Sequence, residues 1–109
     1  MIYIGSPYTS YDQSVMAERA EASMQYAADL FERGIIAISP LGVGGYMAPR
    51  MSKQLPPDWC YWDKLCLSLL APCKEMHVLL LPSWQKSVGL LAEIEYCTLH
   101  KKPIKYVKL

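Results

Sequence analysis

Between Ser87 and Glu93 the chain places a hydroxyl, a residue without a side chain and a carboxylate: Ser87-x-Gly89-x-x-x-Glu93. Residues four apart on a helix stand one above the other, so Gly89 is expected to leave open space beside the Glu93 carboxylate. Ser87 falls at a loop-to-helix junction, where its hydroxyl and the nearby backbone N–H groups suit an anion such as phosphate. Each residue also has a plainer reading. A lone helical Glu is commonly a solvated surface group, and N-capping alone accounts for a serine in that place. The first loop, Gly5-Ser6-Pro7-Tyr8-Thr9-Ser10, repeats the arrangement of strand, Gly and hydroxyl residues, then helix. It matches neither the G-x-x-x-x-G-K-[ST] phosphate loop nor the dinucleotide G-x-G-x-x-G. Asp63 is either an acid near the crevice or an exposed charge on a helix. His77 and His100 have no partner at useful spacing and read as core-edge and helix-end residues.

The elements that must position these groups follow from the apolar pattern. Met1-Ile2-Tyr3-Ile4 is a first strand stopped by Gly5-Ser6-Pro7. Ser10 with Gln13 has the form of a capping box, and Asp12 is the alternative cap. Met16, Ala20, Ser23, Ala27 and Leu30 then recur at helical spacing to about Arg33, with Gly34 as the stop. Ile35 to Ser39 is a second strand, and the helix between makes the pair a parallel βαβ unit. From Pro40 to about Pro57 the glycines and prolines follow no period, which predicts a long binding loop with Tyr46, Met47 and Arg50 able to close over a ligand. Asp58 to Ala71 reads as a second helix capped by Asp58, and Met76 to Leu81 as a third strand. Ser87 to His100 is a third helix, and Pro103 to Val107 a last strand. Four strands and three helices over residues 1–109 predict one α/β domain with a flavodoxin- or Rossmann-like parallel sheet. In such sheets ligands sit in the crevice outside the carboxyl ends of the strands, where Glu93 would be well placed for chemistry.

Composition narrows the partners. Lys and Arg number 11 against 10 Asp and Glu, so no strong field favours a nucleic acid polymer or an anionic membrane. No apolar run approaches the roughly 20 residues of a membrane helix. Cys60, Cys66, Cys73 and Cys97 form no C-x-x-C pair and have no His at zinc spacing, and no signal peptide opens the chain. The expectation is reduced thiols in a cytoplasm, with no metal or other cofactor. A domain of 109 residues also gains from burying Trp59, Trp62 or Trp84 in a two-fold homo-oligomer.

Four stretches together resemble one family: Ile2-Tyr3-Ile4-Gly5-Ser6-Pro7, Ile38-Ser39-Pro40, Trp84-x-x-Ser87-x-Gly89-x-x-x-Glu93 and Lys102-Pro103-Ile104. They look like the nucleoside 2-deoxyribosyltransferase superfamily, in particular its small, often phage-encoded branch. The resemblance spans essentially the whole chain, and its most specific part is S-x-G-x-x-x-E. It implies that Glu93 is a nucleophile toward C1′ of a deoxyribosyl group and that Tyr3 orients it. Superfamily members acting on nucleosides tend to carry Asp in the place of Ser87, whereas those hydrolysing 5′-monophosphates carry Ser and use it on the phosphate. The implied ligand is therefore a nucleotide, with Ser6, Tyr8 and Thr9 completing the phosphate pocket. Members commonly complete their sites across a dimer.

The chain also departs from the family. The family Asp held to protonate the leaving base falls near Cys66 on a gap-free match, with Asp63 one helical turn earlier as the candidate acid. Related domains often have Asp in the place of Lys74 and a His around Gly42 to Gly45. Loss of a proton donor keeps an alternative in view, a non-catalytic protein that sequesters a nucleotide or a nucleotide-derived signal.

Overall fold

The computed structural model describes residues 1–54 and 59–109, the Cys60 side chain excepted. Four strands, β1 (Ile2–Gly5), β2 (Ala37–Ile38), β3 (Glu75–Leu79) and β4 (Ile104–Val107), form one parallel sheet in the order β2-β1-β3-β4. Among the described residues four α-helices connect them: α1 (Gln13–Glu32), α2 (Pro40–Met47), α3 (Trp59–Leu70) and α4 (Val88–Leu99). This is the expected Rossmann-like α/β domain, with one helix more than the pattern suggested. The order turns back at β1, whose chain continues to β2 on one side and whose other neighbour is β3. In such a sheet the switch point, between the loops leaving β1 and β3, is where a ligand crevice is expected.

Local chemistry sets where the elements start and stop. Asp12 is the cap of α1, its Oδ1 accepting from the Ser14 amide at 2.9 Å, while Ser10 Oγ accepts from the Asp12 amide. The helix ends in a Schellman motif: Gly34, at φ 79°, donates to the Phe31 carbonyl and Ile35 to that of Leu30. That stop uses Ile35, and Ser39 caps the next helix, so β2 keeps only two residues of the five-residue run. The Asp58 cap expected for α3 lies outside the described residues.

The stretch expected to be a long loop contains α2 and a 3₁₀ turn over Ala48–Arg50. Ser39 Oγ accepts from the Gly42 amide at 3.2 Å, and Pro40 stands at the first helical position, where its fixed φ suits a helix start. Packing then offsets the poor helix propensity of the glycines. A side chain on Gly42 would meet Met24 at 3.1 Å, and Gly44 faces the Trp62 ring. Ser39 Oγ also hydrogen-bonds Ser23 Oγ at 2.6 Å, joining α2 to α1. Tyr46 and Arg50 are exposed and engage each other, Arg50 Nη1 donating to the Tyr46 carbonyl with its guanidinium 4.3 Å from the ring centroid.

Strand alternation divides the core. Tyr3, Met76 and Val78 face α3 and α4, and pack with Leu70, Cys73, Leu90 and Cys97. Ile4 and His77, paired in register, face α1. His77 is buried there: the Tyr26 hydroxyl lies 2.8 Å from its Nδ1, and Glu75 Oε2 lies 3.6 Å from Nε2. His100, by contrast, caps the end of α4 and rests edge-on against Tyr96. Burial holds His77 below the ordinary histidine range, opposed by the charge of Glu75. The unfolded chain therefore takes up a proton at His77 before the folded one does, and stability should fall as pH drops below about 6.5. His77→Gln is expected to flatten the thermal midpoint between pH 5 and 7, which calorimetry across that range checks.

Candidate active site

Tyr3 lies in the middle of β1 and Glu93 in the second turn of α4, and the two meet beneath the switch point. The Tyr3 hydroxyl donates to Glu93 Oε2. Tyr3 is fully buried and Glu93 is 4 % exposed. Removal from water pushes the Glu93 carboxyl up to about 8, and the hydrogen bond from Tyr3 pulls the other way without cancelling it. Burial and the neighbouring Glu93 charge raise the Tyr3 phenol well above its ordinary value. Near neutral pH both groups therefore hold their protons.

A third group belongs to this cluster. The Cys66 thiol of α3 stands beside Tyr3; burial and then the Glu93 charge push Cys66 up to about 11. The thiol stays protonated. Asp63, one turn earlier and half-buried, makes no hydrogen bond among the described residues; its charge is felt at Cys66 and not at Glu93.

The loops supply hydroxyls and backbone groups around the pair. Ser6 is buried at the end of β1, its Oγ donating to the Pro7 carbonyl at 2.9 Å, with Tyr8 half-buried and Thr9 exposed beyond it. Ser87 caps α4, its Oγ accepting from the Leu90 amide at 3.2 Å. That bond leaves the serine O–H able to donate to a ligand. Gly5 lets the α4 side of the core come close, since a side chain there would lie 2.9 Å from Leu90 Cδ1.

Gly89 overturns an expectation. Its missing side chain does not leave open space: the Trp59 ring fills it, and a Cβ at Gly89 would stand 2.9 Å from Trp59 Cε3. Trp59 thus covers the turn of α4 that precedes Glu93. The other tryptophans also have partners within the chain, Trp62 against Gly44 and Trp84 against Tyr106 at 5.7 Å between ring centroids. Among the described residues no group of His, Cys, Asp and Glu is placed to hold a metal ion, and no helix is long and apolar enough to cross a membrane.

A family model matches residues 1–108, nearly the entire chain. The chain belongs to the domain of unknown function family DUF1937. No curated protein matches it.

Within this DUF1937 chain, the structure brings together Tyr3, Glu93 and Cys66, and sets Ser87 and Gly89 at the start of the helix that carries Glu93. Two contacts were not legible in the sequence: the Trp59 ring on Gly89, and the Cys66 thiol, marked there only as the place of the family Asp, beside Tyr3. Helical spacing carries a signal for both, since Trp59, Trp62, Cys66 and Leu70 recur along one stripe of α3. What that stripe touches depends on α4, which α3 spacing does not report. The Trp59 contact also fixes the sign of a substitution. Helix propensity favours alanine over glycine by up to about 1 kcal/mol, whereas overpacking costs about 1–3 kcal/mol. Gly89→Ala is therefore expected to lower stability in urea unfolding; a gain would mean that Trp59 moves off the helix freely.

Proposed function

We propose that this chain is a nucleotide N-glycosidase, or a 2-deoxyribosyltransferase-like enzyme, that cleaves the base–sugar bond of a nucleoside 5′-monophosphate through Glu93. The observation that carries this reading is the buried Tyr3–Glu93 pair at the switch point. An acid held out of water with one oriented hydroxyl suits attack on an electron-poor carbon, because a desolvated carboxylate is reactive and the hydroxyl fixes its direction. In the first displacement a Glu93 oxygen bonds to C1′ as the C1′–N bond breaks; the bonding electrons leave with the base, which takes a proton. In the second, water or an acceptor base attacks C1′, the ester bond to Glu93 breaks, and the carboxylate is restored. The carboxylate also stabilises the oxocarbenium-like charge at C1′ in both steps.

Ser87 at the α4 N-terminus and Ser6, Tyr8 and Thr9 on the first loop are the proposed phosphate contacts. Helix N–H groups and hydroxyls together favour a dianion. The proton for the leaving base is proposed to come from Asp63, with the Cys66 thiol standing closer to the pair. A two-fold homo-oligomer is part of the proposal, and a single monomer mass in light scattering would reject that part.

A second reading, nucleotide binding without turnover, draws support from the same cluster. Glu93 holds its proton near neutral pH, and the group beside it is a weakly acidic thiol, whereas general acid assistance is worth roughly 10²–10⁴-fold in rate. The test is to incubate the protein with a panel of ribo- and deoxyribonucleoside monophosphates and measure free base by chromatography, with Glu93→Ala alongside. Base release lost in the variant supports the enzyme. No release, with an intact nucleotide recovered from the denatured protein, supports the binding protein.

A further inference from the structure

We propose that Arg19 is a positioning residue that sets the width of the ligand crevice by tying its two walls together. Arg19 projects from α1, and its Nη1 donates to the carbonyls of Tyr8 at 3.2 Å and Thr9 at 3.1 Å. Its Nη2 donates to the carbonyl of Pro82 at 3.2 Å. The first two carbonyls belong to the loop leaving β1, and the third to the loop leaving β3. These strands are neighbours in the sheet, and their carboxyl ends bound the switch point.

The chemistry of the side chain suits this task. A guanidinium is a planar fork whose donors leave two nitrogens in fixed directions, so carbonyls on different loops are held at a set separation. A lysine ammonium concentrates its donors on one nitrogen and cannot reproduce that spacing, although it keeps the charge. Arg19 meets no carboxylate within salt-bridge distance among the described residues, so its hydrogen bonds serve the loops alone. The two loops carry the proposed phosphate contacts, Tyr8 and Thr9 on one and Ser87 at the end of the other. A change in their separation would shift the ligand relative to Glu93. The catalytic consequence rests on the glycosidase reading; the mechanical one does not.

The test compares wild type, Arg19→Lys and Arg19→Gln by amide hydrogen exchange and by base release. Each lost hydrogen bond is worth about 0.5–1.5 kcal/mol, so removing the tie is expected to speed exchange about tenfold or more at the loop amides. The affected amides are Asp12 and Ser14 on one side and Trp84 and Ser87 on the other, rising together, while those of β3 and the middle of α1 hold. Lysine is expected to fail as badly as glutamine. With any nucleoside 5′-monophosphate that wild type cleaves, kcat/KM should fall about 10²-fold in both variants, as for a substrate misplaced by about 1 Å. Loops unchanged in Arg19→Gln, recovery in Arg19→Lys, or a uniform rise across the chain with a lower thermal midpoint would each overturn the proposal. If wild type releases no base from any nucleotide, the exchange pattern still decides the tie, and only the glycosidase reading fails.

Discussion

Glu93→Gln is expected to make the protein more stable above pH 8 while abolishing base release. Burial raises the folded-state pKa of Glu93 to about 8, against an ordinary value of 4.5. The folded state therefore binds a proton at Glu93 that the unfolded chain has already released at neutral pH. This contribution to stability is fully present below pH 4.5 and is lost as pH rises through about 8. A shift of that size is worth several kcal/mol once the folded carboxyl ionises, a large part of a typical domain's total stability. Glutamine accepts the Tyr3 hydrogen bond without ever ionising, and so escapes the penalty. Urea unfolding at pH 5 and pH 9 is the check: the variant should be no more stable than wild type at pH 5 and clearly more stable at pH 9. Identical pH dependence in the two proteins would mean that Glu93 is not buried as described. The same substitution removes the nucleophile, so base release should fall to background.

The rate of base release should rise with pH. In the free enzyme a nucleophilic Glu93 must be ionised, so kcat/KM is expected to climb about tenfold per pH unit and level off above about 8. Tyr3→Phe removes the hydrogen bond that favours the carboxylate, and its inflection should move higher with a lower rate at every pH below it. This slope separates two chemistries that share a residue. Were Glu93 a proton donor to the leaving base, the rate would instead fall above pH 8.

The scaffold was legible in the sequence wherever one element carried its own signal. Ile2-Tyr3-Ile4 before Gly5, the Gly34 stop and the Ser87 cap each follow from local backbone chemistry, and each appears where expected. The helix α2 did not, because Gly42, Gly44 and Gly45 carry no helical signal of their own. Its support comes from Met24 and Trp62 on other helices. The site divides in the same way. Glu93 and its place near a helix start were readable, and Tyr3 came from the family resemblance; both prove to be buried and bonded to each other. The reading of Gly89 as open space failed, since spacing within α4 says nothing of the Trp59 ring that α3 lays across it. The contact of Cys66 with Tyr3 was hidden for a similar reason: the family match marks the position, but a cysteine on an apolar stripe looks like core until the opposing strand is known to bring Tyr3.

The most direct measurement of the central claim, that Glu93 attacks C1′, is the stereochemistry of cleavage in methanol and water. A nucleoside 5′-monophosphate is treated with the protein in aqueous methanol, and the configuration of the methyl glycoside is read by nuclear magnetic resonance. Two successive displacements through Glu93 should return the starting configuration at C1′. An inverted methyl glycoside, or neither glycoside nor free base from any nucleotide, would contradict it.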